Sequence, residues 1–116
     1  MSTNEQTELL VLVAGPYRGG TGDDPAKLAA NVTAMNTAAL DVFRAGHLPV
    51  TGEALALPLI ELGGGFDEVF HPIARRLVRR CDAVLRIGGA SAGADEMVQI
   101  AREHGAAIYR DVAELP

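Results

Sequence analysis

The sequence predicts an α/β fold: an open parallel sheet of four to five strands with helices on both faces. Short apolar segments alternate with longer helical patterns, which is typical of βαβ units. The first apolar segment is continuous rather than alternating, as in strands buried on both faces. With 116 residues, 48% of them hydrophobic, the chain is long enough for one domain, which we place over residues 1–116.

The first strand and the first helix have clear boundaries. The strand covers residues 9–14. Asp24 and Pro25 are residue types favoured at the N-cap and first position of a helix, and this helix continues to about Ala45. Gly46 is a typical helix stop. Apolar residues recur on one side at helical spacing: Leu28, Val32, Met35, Ala39 and Val42.

The middle of the chain is less regular. Residues 47–51 predict a second strand, near an edge of the sheet because it contains Pro49. Residues 53–62 are rich in Ala and Leu but contain Pro58, which favours an irregular or short helical lid. The three glycines at 63–65 end this segment.

The rest of the chain repeats the alternation of helix and strand. Residues 66–80 predict an amphipathic helix that starts at Asp67 and is interrupted near Pro72. The elements that follow are a strand over 82–87, a helix over 91–104 and a strand over 106–109.

Composition excludes several classes of function. The net charge of −5 argues against a partner that is a nucleic acid polymer or an anionic membrane. No apolar stretch approaches the ~20 residues that span a bilayer. Residues 1–8 are polar, lack the pattern of a signal peptide and are expected to form a disordered tail. The single cysteine, Cys81, permits no intramolecular disulfide, so we expect a cytoplasmic protein.

Two glycine-rich loops, 15–22 and 88–93, follow predicted strands. In open parallel sheets ligands bind beyond the carboxyl ends of the strands, so we expect these loops to lie side by side around one cleft. The first loop lacks the spacing of a dinucleotide or P-loop motif, but it offers an aromatic ring, a guanidinium group and backbone amides. It can also be read as a plain surface loop. Its candidate binding residues are Gly15, Pro16, Tyr17, Arg18, Gly19 and Gly20.

The second loop leads into a helix that carries carboxylates in its first turns. Ser91 and Gly93 are candidates for holding an anion, although Ser91 also fits a simple N-cap. Glu96 is the best candidate for a nucleophile or general base, and Asp95 is its close rival. Either carboxylate can instead serve only to stabilise the helix dipole.

The histidines are weaker candidates. His47 and His71 could face the cleft and bind substrate, whereas His104 lies in the last turn of a helix, where a cation is favoured. Asp82, at the entry to a strand, is interpreted as structural. No group of His, Cys and Asp residues has the spacing of metal ligands, so we expect neither a metal nor a cofactor.

Three segments resemble the nucleoside 2-deoxyribosyltransferase-like superfamily in their order and spacing: VLVAGPYRGG at 11–20, CDAV at 81–84 and SAGADE at 91–96. The similarity is greatest to the short bacterial members of this superfamily and to the deoxynucleoside 5′-monophosphate N-glycosidases. It implies a flavodoxin-like, Rossmann-like fold and cleavage of an N-glycosidic bond. It also implies a homodimer or higher homo-oligomer with sites near subunit boundaries.

The resemblance also implies roles for particular residues. Glu96 would be the nucleophile that attacks the anomeric carbon, as in retaining glycosidases. The residues that would bind the 5′-phosphate are Arg18, Gly19, Gly20, Ser91 and Gly93. The substrate would be a small nucleoside or nucleotide.

The sequence departs from the family pattern at the site. Leu12 stands where the family often has a tyrosine. Ala74, three residues after His71, stands where the glycosidases have an acid. The spacing from Gly93 to Glu96 is one residue shorter than the pattern. The transferases also carry a C-terminal extension that this sequence lacks, so we expect hydrolysis rather than transfer.

Two other interpretations remain open at this point. One is a nucleotide-binding or sensing module that binds without turnover. The other is a phosphoribohydrolase-like enzyme acting on ribonucleoside monophosphates, because Gly88, Gly89, Gly93 and Glu96 are similar to the glycine-rich turn of those enzymes. The sequence also leaves open whether a further carboxylate, such as Glu53, Glu61 or one from a neighbouring subunit, stands in the cleft.

Overall fold

The structure, a computed structural model, describes residues 8–116 and has one parallel sheet. Its strands are β1 (Leu10–Ala14), β2 (Leu48–Thr51), β3 (Ala83–Arg86) and β4 (Ala107–Tyr109). Its helices are α1 (Pro25–Arg44), α2 (Gly52–Leu62), α3 (Phe66–Val78) and α4 (Ala92–Glu103), and a short 3-10 helix covers Val112–Glu114. The predicted α/β class is therefore confirmed.

The four strands are hydrogen-bonded in the order β2-β1-β3-β4, and every neighbouring pair is parallel. The strand with the proline, β2, lies at an edge, as its sequence predicts. The chain leaves β1 toward β2 on one side and returns to β3 on the other. The boundary between β1 and β3 is thus the point where strand order reverses, and their carboxyl ends open a crevice there.

Both faces of the sheet are buried, which explains the continuous apolar sequence of β1. Val11 and Val13 pack against Met35 and Val42 of α1 on one face. Leu12 belongs to the cluster on the opposite face, which α3 and α4 cover. Side chains alternate along a strand, so burial of three successive residues requires helices on both sides.

Helix α2 is regular across its proline, so of the two predicted alternatives, an irregular segment or a short helix, the helix is the one that forms. The hydroxyl of Thr51 accepts a hydrogen bond from the backbone N–H of Ala54 at 3.1 Å and caps the helix. Pro58 leaves the carbonyl of Ala54 without its helical donor, but both residues are exposed, so water can take that place.

Helix α3 also continues through its proline. It begins at Phe66, one residue before the predicted start, and is not interrupted at Pro72. Its buried residues Phe70, Ala74 and Val78 recur every four positions and face the sheet and its neighbouring helices. Burial of this apolar stripe outweighs the loss of one hydrogen bond.

Two polar side chains fix the amino end of the sheet. The Nδ1 atom of His47 accepts the N–H of Leu9 at 3.0 Å, and its Nε2 lies 2.9 Å from the carbonyl oxygen of Pro116. The carboxylate of Asp82 accepts the N–H of Leu10 at 2.8 Å. Asp82 is structural, as interpreted from the sequence. His47 is at the edge opposite the crevice, so the expectation that it faces the cleft is wrong.

Cys81 is buried just before β3. Its thiol donates a hydrogen bond to the carbonyl of Leu77 at 3.3 Å. Burial raises the pKa of this thiol to about 11. The side chain therefore packs as a small apolar group.

None of the helices within residues 8–116 is long and apolar enough to cross a membrane. The tail predicted for residues 1–8 lies outside the described residues, apart from Glu8, which is exposed.

Candidate functional site

A cavity of about 300 Å³ lies where strand order reverses, at the carboxyl edge of the sheet. Its walls come from the end of β1 and the loop that follows, the start of α2, one side of α3 and the first turns of α4. Because these elements are distant in sequence, the sheet itself brings the lining residues together. Its volume is in the range of small-molecule sites, whose lower end is about 300 Å³.

The two glycine-rich loops lie against each other beside this cavity, as expected. A Cβ placed on Gly15 would lie 2.9 Å from the carbonyl oxygen of Ile87 and 3.0 Å from the sulfur of Met35. A Cβ on Gly88 would lie 2.7 Å from the Cδ of Pro16. These distances are too short for a real side chain, so the close approach of the loops depends on glycine at both positions.

Three aromatic rings form one side of the cavity, which we call the aromatic wall: Tyr17, Phe66 and Phe70. The rings of Phe66 and Phe70 are 4.6 Å apart and inclined by 16°, and those of Tyr17 and Phe70 are 5.3 Å apart and inclined by 18°. The ring of His71 stands nearly perpendicular to Phe70 at 5.4 Å. The stacked rings make this side of the cavity apolar and aromatic, which suits contact with a planar ring of a ligand.

Arg18 lies at the exposed side of the wall. Its guanidinium carbon is 4.3 Å from the centre of the Phe66 ring, and its Nε donates to the carboxylate of Asp23 at 2.8 Å. This hydrogen bond lowers the pKa of Asp23 and raises that of Arg18. The side chain is about half exposed, so its charge can meet an anionic group at the cavity entrance.

The start of α4 forms another part of the wall. The hydroxyl of Ser91 accepts the N–H of Ala94 at 3.1 Å, so Ser91 is the N-cap as well as a lining residue. A Cβ on Gly93 would lie 3.2 Å from Cε1 of His71, so glycine lets the imidazole approach the first turn closely. The N-terminal amides and the helix dipole favour an anion at this end.

Arg86, at the end of β3, holds the second glycine-rich loop in place. Its side chain is only 6% exposed. It donates to the carbonyl oxygens of Ile87 and Gly89, the latter at 2.8 Å, and to the carboxylate of Asp95 at 3.1 Å. Residue type alone does not single out Arg86 as a candidate, although a charged residue that ends a buried strand is an unusual feature of the sequence.

The predicted catalytic carboxylates do not reach the cavity. Asp95 is tied to Arg86, and both oxygens of Glu96 accept hydrogen bonds from Arg75 of α3, at 3.0 and 3.3 Å. The next residue, Met97, lines the cavity instead. Successive helical residues are about 100° apart around the axis, so the one-residue shift in spacing turns the carboxylate of Glu96 aside.

Glu53 supplies a carboxylate from another element. It is the second residue of α2, is only 7% exposed and is the one Asp or Glu among the described residues that line the cavity. Its Oε2 is buried and has no hydrogen-bond partner among residues 8–116. Burial raises the pKa of this carboxyl to about 7. Glu53 also lines a second cavity of about 230 Å³ between α1 and α2.

Most of the predicted binding residues come together. Those that line the cavity are Gly15, Tyr17, Arg18, Gly19, His71, Ser91 and Gly93. Those that do not are Pro16, Gly20 and His47. Pro16 still supports the site through its contact with the second loop.

No group of three or more His, Cys, Asp or Glu side chains within residues 8–116 could hold a metal ion. Comparison of the chain with models of known protein families gives no match, and neither a curated protein nor a solved structure matches it.

Proposed function

We propose that the cavity binds a nucleoside or a nucleoside 5′-monophosphate and that the chain hydrolyses its N-glycosidic bond. The observation that carries this proposal is the pairing, within one cavity, of the aromatic wall with the amino end of α4. A nucleotide has the same two halves, a planar base and an anionic phosphate. The sugar would lie between them.

The apolar half of the cavity fits the base. Stacking on the aromatic wall is favourable for any of the bases, because each has a flat π face. The polar half fits the phosphate, since the first-turn amides near Gly93 and the guanidinium of Arg18 both favour negative charge.

The family resemblance supports the same assignment. Leu12 and Ala74, the two residue positions at which the sequence departs from the family pattern, both line this cavity. Positions that align with functional residues of the family therefore lie around the same space here. Smaller or apolar side chains at these positions favour a substrate range different from that of the family.

Release of the free base from a panel of nucleosides tests the proposal. The panel contains ribo- and 2′-deoxyribonucleosides and their 5′-monophosphates, and chromatography measures the base released. We expect release from at least one monophosphate, and Phe66→Ala should reduce it through loss of stacking. Phe43→Ala, a change of an exposed phenylalanine on α1, serves as the matched control. No release from any compound would refute hydrolysis.

Binding without turnover is the second candidate, and the ion pair between Glu96 and Arg75 favours it, because it occupies the predicted nucleophile. A ligand at 100 times its Kd stabilises the folded chain by about 2.7 kcal/mol, which a thermal shift with the same panel detects. A shift with no base release supports a binding module. Preference for ribose over deoxyribose would favour the phosphoribohydrolase-like interpretation.

The role of Glu96 as nucleophile stays a prediction. To act, its side chain would have to leave Arg75 and turn toward the cavity. A loss of base release of 100-fold or more in Glu96→Gln would keep it in that role, and unchanged release would remove it.

We also propose that the chain forms a homodimer through α2. Leu55, Leu59 and Leu62 share one face of this helix and are all exposed. A row of exposed leucines beside the edge strand is typical of a surface that packs against another subunit.

A further inference from the structure

Glu53 is the group in the cavity whose presence needs a chemical explanation. A buried acceptor without a hydrogen bond is unfavourable, and a hydrophobic side chain could fill the same space without that cost. Glu53 is only 7% exposed, and in the described part of the chain no group donates a hydrogen bond to its Oε2. Strongly perturbed acids in clefts are frequent at functional sites.

Small residues let the start of α2, which carries Glu53, pack closely on α3. A Cβ placed on Gly52 would lie 3.5 Å from the Cβ of Ala74, so the start of α2 rests directly on α3. Phe70 of the aromatic wall is one helical turn before Ala74, and both line the cavity with Glu53. The start of α2, which carries Glu53, therefore adjoins the side of the cavity where the base would stack.

We propose that Glu53 is the general acid that protonates the leaving base when the N-glycosidic bond breaks. This inference rests on the proposed hydrolysis. Because Arg75 holds Glu96 outside the cavity, the proposed step uses water as the nucleophile: the oxygen of a water molecule forms a bond to the anomeric carbon while the bond from that carbon to the base nitrogen breaks. The electron pair of the broken bond stays on the base, which takes the proton of the Glu53 carboxyl, and the water loses a proton to solvent.

The environment of Glu53 suits this role. A catalytic acid is most effective when its pKa is close to the working pH, and burial raises the pKa of Glu53 to about 7. The carboxyl is thus partly protonated at neutral pH, unlike an exposed glutamate. Because Glu53 also lines the second cavity, water there can return the proton while the first cavity is occupied.

A change of leaving group tests the proposal. A base needs a proton to depart, whereas 4-nitrophenolate leaves without one. We expect Glu53→Gln to reduce kcat/KM for the best nucleoside substrate by about 100- to 10,000-fold. The same variant should lose less than about tenfold on the matching 4-nitrophenyl glycoside, because general-acid catalysis is not needed there. Glu61→Gln, an exposed glutamate of the same helix, is the matched control and should act like the unchanged chain on both.

Equal losses on the two substrates would overturn the proposal, since they would make Glu53 a nucleophile or a purely structural residue. Full activity of Glu53→Gln on the nucleoside would overturn it as well. If the unchanged chain hydrolyses neither the nucleosides nor the nitrophenyl glycoside, the proposed function fails and this inference with it. If the unchanged chain is active and Glu53→Gln loses equally on the two substrates, only the role of Glu53 is rejected and the proposed hydrolysis stands.

The unchanged chain gives a second measurement, which does not depend on the folding of a variant. For the nucleoside, kcat/KM should fall as pH rises through about 7, because the acid loses its proton. For the nitrophenyl glycoside this fall should be absent. The other ionisable groups that line the cavity among the described residues are Tyr17, Arg18 and His71, and a monophosphate substrate adds a phosphate whose second pKa is about 6. A fall that persists in Glu53→Gln would assign it to one of these groups and contradict the proposal.

Discussion

Gly15 sets how closely the first strand and its neighbour approach at the cavity. A methyl group there would press on the carbonyl oxygen of Ile87 and the sulfur of Met35. We expect Gly15→Ala to lower the free energy of unfolding by about 1–3 kcal/mol, the usual effect of overpacking. Gly19→Ala in the same loop meets no atom within 4 Å and should change stability by less than about 0.5 kcal/mol. Urea denaturation of both variants measures this, and equal effects would contradict it.

Glu53 also predicts how stability depends on pH. Its carboxyl titrates near 7 in the folded chain and near its ordinary value of 4.5 when unfolded. Between these values the folded chain binds more protons, so the free energy of unfolding falls as pH rises. The loss begins near pH 4.5 and is complete above pH 7, where it reaches about 3 kcal/mol. Thermal melting at several pH values should show this slope, and Glu53→Gln should remove it; parallel curves for the two would contradict the prediction.

Residue type and spacing do not determine which way a side chain points. The sequence therefore could not show that Glu53, rather than Glu96, is the carboxylate that lines the cavity. Glu53 and Glu96 both follow a strand and both lie early in a helix. What separates them is helical register: Met97 rather than Glu96 faces the cavity, and Arg75 takes the carboxylate of Glu96. A local sequence pattern determines neither the rotation of α4 about its axis nor the residue that pairs with the carboxylate of Glu96.

At the scale of elements, the turn after β3 depends on Arg86. Arg86→Leu removes three hydrogen bonds, including those to the carbonyls of Ile87 and Gly89. We expect the free energy of unfolding to fall by about 1–3 kcal/mol and the amides of Ile87, Ala94 and Asp95, which are hydrogen-bonded at the two ends of this loop, to exchange faster. Asp95→Asn keeps the carbonyl contacts and alters an exposed side chain, so it should cost less than about 1 kcal/mol. Hydrogen exchange followed by mass spectrometry measures both, and unchanged exchange in Arg86→Leu would contradict the role.

The two helices that contain prolines show a property that local sequence does not predict, namely whether a helix continues through a proline. Pro58 leaves an irregular segment open and Pro72 predicts an interruption, yet α2 and α3 continue through these prolines. The prolines leave the carbonyls of Ala54 and Glu68 without donors, and both of these residues are exposed to water. Exposure is a tertiary property, so a pattern of residue types cannot supply it.

At the scale of the molecule, the exposed leucines of α2 predict self-association. Leu62 is 86% exposed and lies on the same face as Leu59 and Leu55. We expect the unchanged chain to be dimeric in light scattering and the double change Leu59→Glu, Leu62→Glu to be monomeric. Ala34→Glu, on the exposed side of α1, is the control for added charge and should stay dimeric. A monomeric unchanged chain at every concentration would contradict the prediction.

The fold class followed from the sequence more readily than the site. The alternation of apolar strands with long helical patterns predicts a parallel sheet, and Pro49 predicts the edge position of β2. The place of the site also follows, because glycine-rich loops after β1 and β3 must meet at the carboxyl edge. The side chains that act within it depend on how α2 and α3 pack, which no short segment encodes.

The reactivity of Cys81 reports on local unfolding of the chain around it. Only the thiolate reacts with alkylating reagents, and this sole cysteine is buried with its pKa raised to about 11. Native molecules are therefore nearly inert to such reagents at neutral pH, whereas molecules in which α3 has separated from the sheet react at the rate of a free thiol. The rate of alkylation then measures how often the carboxyl end of α3 comes away from the sheet, without any label having to be introduced.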